Sequence, residues 1–202
     1  MSKKNLRFKR LLNKYRSLES EVASTQEIIS EMRDYFHEVI EEYCENNEIN
    51  LEELKKGKEE RIKQLFQETN KSIQGVEEKI QEQEYDSKSL FRQIAKKFHP
   101  DTLEHDDPEK EEKEDIFKTA MRAIEECNWG KLFDIAAKHD LEFKDYDSII
   151  ASLKLDIERE QTILKKEQST WSWLLFNCED DDNCKDNIAK GFLKQVYSYE
   201  IT

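Results

Sequence analysis

From Leu11 onward, apolar and aromatic side chains return at alternating steps of four and three: Leu11, Tyr15, Leu18, Val22, Ile29, Met32, Phe36, Val39 and Tyr43, with Thr25 in the same register. Leu12, Ile28 and Ile40 widen the stripe on one flank. A seam sustained over several heptads predicts a long helix, about 5 to 44, that packs lengthwise against other helices. The rhythm breaks at Glu45-Asn46-Asn47-Glu48. Asn50 followed by Glu53 then has the form of a capping box, which starts a second helix at Leu51. Gly57 weakens its first turns, and Ile62, Phe66, Thr69, Ile73, Val76 and Ile80 resume the seam. An antiparallel hairpin is the expected arrangement, with a kinked rod as the alternative.

The seam fades over Gln81–Asp86, and a shorter pattern follows. Phe91, Ile94, Ala95 and Phe98 fall at helical spacing, which gives one apolar face. Beyond an acidic stretch, EHDDPEKEEKED, a second stripe runs through Ile116, Phe117, Ala120, Met121, Ala123, Ile124 and Cys127. Two stripes joined by a polar loop predict an antiparallel finger of residues 88–98 and about 110–127. Phe91, Ile94, Phe98, Phe117, Met121 and Ile124 would lie between its helices. Asn128-Trp129-Gly130 marks a turn into another short helix, which ends near His139-Asp140. A last long helix starts near Asp147, with Ile150, Leu153, Ile157, Leu164 and Trp171 in register and Glu160 and Glu167 interrupting it. Its end, STWSWLLFN, carries enough apolar surface to close a bundle or meet a partner. CEDDDNCKDN reads as a loop, and a short helix or tail runs from Ile188 to Tyr199.

The expected fold is therefore all-α: long coiled-coil helices forming a stalk or bundle around a central helical hairpin. Three parts are expected: N-terminal coiled-coil helices at 1–83, a central domain at 84–145, and a C-terminal long helix and tail at 146–202. Composition agrees. Among 202 residues, 39% are charged and only 36% hydrophobic, with four glycines and two prolines. The usual charged share is about a quarter, so the chain favours long solvated helices over many short strands.

No apolar run is long enough to span a membrane, and MSKKNLRFKR lacks the apolar core of a secretory signal. The expected compartment is the cytoplasm, where Cys44, Cys127, Cys178 and Cys184 would be free thiols; pairing or metal binding by Cys178 and Cys184 is the lesser alternative, disfavoured by the intervening EDDDN and the lack of a nearby histidine. The net charge of −13 argues against nucleic-acid binding, yet residues 1–16 hold Lys3, Lys4, Arg7, Lys9, Arg10, Lys14 and Arg16 with no acid. Such a segment pairs with acidic helices of the same chain or meets an acidic or polyanionic partner.

Candidate chemistry centres on His99-Pro100-Asp101, which ends the amphipathic stretch LFRQIAKKF. Proline after histidine stops the helix and stiffens the turn, and Asp101 offers a carboxylate suited to a bidentate arginine. Arg92, Lys96 and Lys97 supply a basic flank that speeds encounter with an acidic surface. There is no glycine-rich phosphate loop, HExxH or nucleophile signature. No catalytic residue, cofactor or metal site is expected, and the chain is not read as an enzyme.

FRQIAKKFHPD resembles the second helix and HPD loop of the J-domain (DnaJ-type) co-chaperone family, over roughly Asp86 to Leu141. That resemblance implies a two-helix finger with the HPD loop at its tip. It implies docking on a DnaK-type heat-shock chaperone ATPase, with His99, Pro100 and Asp101 as the trigger for the partner's ATP hydrolysis and Arg92, Lys96 and Lys97 on the partner-facing surface. The sequence departs from the family at Gln93, where a basic residue is common, and at Thr102, where arginine is frequent. The usual flanking helices, of the YEILGV and QKRAAYD kinds, are absent. CNWGKLFDIAAKHDLE instead looks like the ending of bacterial J-like proteins that carry the domain between long helices. The finger would then pack on the helix ending near Ile80 and the one starting near Asp147. The coiled coil is expected to bind a client, to localise the protein or to join two copies. The alternative is a structural or assembly adaptor whose J-like fold does not stimulate a chaperone.

Overall fold

The computed structural model describes residues 3–69, 87–103 and 108–199. Among these residues the fold is entirely helical: α1 (Lys3–Asn46), α2 (Leu51–Thr69), α3 (Ser87–Phe98), a 3-10 turn (Pro100–Thr102), α4 (Lys110–Glu125), α5 (Trp129–Lys138), α6 (Tyr146–Glu167), α7 (Trp171–Phe176) and α8 (Asp182–Tyr197). No helix among them is long and apolar enough to cross a membrane.

The heptad seam of α1 is buried at Tyr15, Leu18, Val22, Phe36, Val39 and Tyr43, and it begins one turn earlier than expected, at Phe8. Asn50 caps α2 by accepting the Glu53 backbone N–H at 3.2 Å, as its capping-box position requires. The continuation of the seam through Ile62, Phe66, Thr69, Ile73, Val76 and Ile80 lies outside the described side chains.

Internal contacts divide the chain into two units of two segments each, where three consecutive parts divided at 83 and 145 were expected; one boundary, after Ile80, falls near 83. The first is Met1–Val22 with Gln81–Leu164, and the second is Ala23–Ile80 with Lys165–Thr202. The cause is that α1 and α6 each supply side chains to both units, so no linker composition marks a boundary.

In the first unit, Phe8, Leu12, Tyr15, Leu90, Ile94, Phe98, Leu132, Phe133, Ile149 and Leu153 belong to one buried cluster. Phe8 meets the rings of Phe143 at 4.8 Å and Tyr146 at 5.8 Å. The start of α1 thus shares the core of α3; the helix near Ile80, expected to pack there, lies outside the described residues.

Asn128 is the N-cap of α5 and accepts the Lys131 N–H at 3.1 Å. Its Oδ1 also accepts the Tyr15 hydroxyl at 3.0 Å. A Cβ on Gly130 would stand 2.5 Å from the Tyr15 ring, so glycine there permits a close approach of α1 to α5. The Gly130 N–H donates to Asp156 of α6 at 2.6 Å. Arg16 of α1 and Lys138 pair with the buried Asp134. Burial opposes that carboxylate's charge, but the two cations outweigh it and hold its pKa below the ordinary value.

In the second unit, Phe36, Val39, Ile40, Tyr43, Leu175, Ala189 and Leu193 form the core, with Leu51, Leu54, Trp171 and Phe192 against it. Three expectations fail here. Ser169 and Thr170 end α6, so STWSWLLFN is a separate helix rather than a continuation. Helix α8 starts at Asp182, inside the acidic stretch taken for a loop, because Asp181 caps it through the Cys184 N–H. Cys178 and Cys184 form a disulfide rather than free thiols, since the turn between α7 and α8 brings their Cα atoms to 5.4 Å. Cys44 and Cys127 are free.

Helices α1, α4, α5 and α8 are followed by a left-handed residue, Glu48, Cys127, Asp140 and Ser198, none of them glycine. After the first three the next N–H bonds back five residues, as in Ile49 to Cys44 at 2.8 Å and Leu141 to Ala136 at 2.9 Å, and after Ser198 the Tyr199 N–H bonds back six, to Leu193 at 3.2 Å. A sequence with four glycines makes its stops at the cost of local strain.

Candidate functional site

The His-Pro-Asp stretch lies between α3 and α4. The buried line of α3 is Leu90, Ile94 and Phe98, each at most 2% exposed. Phe91 and Ala95 are only half-buried, so the apolar face is turned by one position from the expected one. Helix α4 buries Ala120 and Ala123, whose small side chains let neighbouring helices approach, and it packs Ile116, Phe117 and Ile124 against the core. Met121, expected between the helices, is instead 37% exposed; the larger side chain lies at the edge of that face. Phe91 and Phe117 bring their rings to 6.0 Å.

Proline at position 100 forces the preceding residue out of the helical region, and His99 accordingly has ψ 134°. Its Nδ1 accepts the Asp101 N–H at 3.2 Å. An accepting Nδ1 places the proton of the neutral ring on Nε2. The imidazole stands edge-on to Phe117 at 4.9 Å. Thr102 closes the turn twice on the His99 carbonyl, through its N–H at 2.9 Å and its hydroxyl at 2.7 Å. Thr102 thus has a local task in closing the turn. These bonds fix the backbone while leaving the Asp101 side chain 89% exposed. His99 positions the turn; Asp101 is the group it presents.

The basic flank is divided. Arg92 and Lys96 are exposed, and among the described residues neither has an ion-pair partner. Lys97 instead donates from Nζ to the carbonyl of His139 at 3.0 Å and lies over the Phe98 ring at 5.5 Å. It is a cation on the C-terminus of α5, where the helix dipole favours one.

Gln93 is also turned inward. Its amide donates to the Glu142 carbonyl at 3.1 Å and accepts the Glu142 N–H at 3.0 Å. The His139 ring packs edge-on to Phe98 at 4.7 Å. Burial, together with the Lys97 charge, lowers its pKa below the ordinary value.

The sequence reading did not select Gln93 or His139 as supports of the motif. Gln93 bonds a backbone 49 residues away, and no local spacing signals such a pair. Only its departure from the usual basic residue marked it. Among the described residues no group of three His, Cys, Asp or Glu side chains is placed to hold a metal ion. No family model, curated protein or solved structure matches the chain.

Proposed function

We propose that the protein is a non-enzymatic J-domain-like co-chaperone. It docks on a DnaK-type chaperone ATPase through His99-Pro100-Asp101 and stimulates that partner's ATP hydrolysis. The observation that carries this reading is an exposed Asp101 carboxylate on a proline-stiffened turn, with the exposed cations Arg92 and Lys96 on the helix before it. The turn is ordered before binding, so little entropy is lost on docking, and the carboxylate suits a bidentate arginine of the partner. Lys97, which is exposed, joins Arg92 and Lys96 on the partner-facing surface while also bonding the scaffold, and Gln93 holds the helix on that scaffold. The site of action is cytoplasmic in this reading, and the heptad helices serve for client binding or localisation.

The adaptor alternative draws on the same geometry. Gln93 and Lys97 of α3 both bond the scaffold backbone, and α1 and α6 stand in for the usual flanking helices. Single-turnover ATP hydrolysis by the cognate chaperone separates the two readings. Asp101→Asn keeps the shape and removes a charge-assisted contact of about 1.5–3 kcal/mol, so half-maximal stimulation should need roughly ten- to a hundredfold more protein. Equal stimulation by both forms would remove the motif's role. No stimulation by either folded form would favour the adaptor.

A further inference from the structure

Two exposed surfaces take no part in the reading above. The first is on α1. Lys3, Arg7, Arg10 and Lys14 repeat at steps of four, three and four, a stripe about 16 Å long. All four are exposed, and among the described residues none has an ion-pair partner. Lys4 and Arg16 do have partners, Asp147 and Asp134, so internal acids take some cations of the segment and leave this stripe alone. Leu6 stands within it, 55% exposed. The first turn of α1 holds no acid, and cations there oppose the helix dipole. Nothing among the described residues rewards that arrangement.

The second surface is on α7 and the turn after it. Leu175 is buried, while Leu174 is 37% and Phe176 42% exposed. The Trp173 and Phe176 rings lie 5.5 Å apart. Glu179, Asp180 and Asp182 are exposed in the residues that follow. The Cys178–Cys184 disulfide and the Asp181 cap hold this segment in one conformation. An apolar face bordered by acids is thereby preorganised.

The two surfaces are complementary: a leucine among cations, and aromatic rings among acids. Leu6 is 55% and Phe176 42% exposed, so each surface offers apolar area to a partner. We propose that the α1 stripe of one copy docks on the α7 face of a second copy. Leu6 then packs against Trp173 and Phe176, and Arg7 and Arg10 meet Asp180 and Asp182 or the ring faces. The contact joins two different surfaces, so each added copy leaves one of each free, and association closes into a ring or continues as a filament. A polyanion on the stripe would leave the α7 face unexplained and would meet a chain of net charge −13.

Sedimentation velocity of the full chain from micromolar to millimolar concentration tests this with two variants. Arg7→Glu with Arg10→Glu destroys the stripe, and Phe176→Ser with Asp180→Lys destroys the α7 face. All four positions are exposed, and circular dichroism confirms folding. The wild type should self-associate, less so at high salt, and each variant should do so at least about tenfold more weakly. An equimolar mixture of the variants should form a one-to-one heterodimer and nothing larger, because each retains one good surface. A wild type that stays monomeric overturns the proposal. So does a variant that associates as the wild type does, or a mixture without the heterodimer. A monomeric wild type whose stripe binds single-stranded DNA or phosphatidylserine vesicles would assign the stripe to a polyanion instead.

Discussion

The two units solve the same packing problem with different materials. Both are built on heptad-patterned helix, which specifies burial but leaves the axial register of neighbouring helices weakly defined. The first unit buries charge: Asp134, Asp156 and Glu160 are 2%, 4% and 8% exposed. Asp134 of α5 pairs with Arg16 of α1, and Asp156 of α6 accepts the Gly130 N–H of α5. The second unit has an almost wholly apolar core and ties α7 to α8 by a covalent bond. Buried polar contacts tolerate little sliding, whereas apolar contacts tolerate more. The unit that holds the His99-Pro100-Asp101 turn is the one that carries them.

The largest expected effect is on the finger itself. Phe98 is 2% exposed and closes the end of α3 against His139, so Phe98→Ala should cost about 3–5 kcal/mol. Chemical denaturation measures this, and a cost below 1 kcal/mol would show that the aromatic contact does not hold the finger. Gly130→Ala comes next. The added methyl meets a Tyr15 ring that is itself fully buried, so the strain should reach about 3 kcal/mol. Hydrogen exchange should quicken in α5 and at Tyr15 well before it does in α8. Uniform quickening would mean that the polar meeting point of α1, α5 and α6 is no special support of the first unit.

The disulfide tests the other side of the comparison. Closing so short a loop stabilises by about 2 kcal/mol in the chain-entropy account. Cys178→Ser with Cys184→Ser should therefore lower stability by about that amount, with exchange quickening in α7 and the start of α8. Unchanged exchange there would show that the Asp181 cap alone holds the turn.

These contrasts explain what the sequence could convey. Periodicity found α1 because α1 buries one continuous stripe, and Asn50 with Glu53 marked α2 because a cap is a local signal. The same logic failed at α8. An acidic run such as EDDD reads as solvated loop, yet Asp181 is a cap and Asp182 sits where a helix N-terminus favours an acid. The division into units was hidden because α1 and α6 continue through it without any change in composition. His99, Pro100 and Asp101 were legible as a motif. Their supports were not: Gln93 bonds Glu142, and Lys97 bonds His139, across tens of residues. Gly130 looked like a turn former, and only the position of Tyr15 shows that it permits a close approach.

The smallest expected effect concerns the charges buried in the first unit. Burial raises the Glu160 pKa above its ordinary 4.5, with Glu19 and Asp156 adding to the shift and Arg159 and Lys131 opposing it. A carboxyl whose folded pKa is raised binds its proton more readily in the folded state. Its contribution is therefore fully present below 4.5 and is lost as pH rises through the folded value. At neutral pH the ionised group is a net burden, even though Arg159 stands 3.9 Å away. Glu160→Gln keeps the shape without the charge and should raise stability at pH 7 by about 1 kcal/mol. The gain should shrink to nothing as pH falls below 4.5. Denaturation of wild type and variant across that range decides it. A variant that is less stable at pH 7 would show that the Arg159 and Lys131 attractions outweigh burial, and that the first unit gains stability as well as register from the charge it buries.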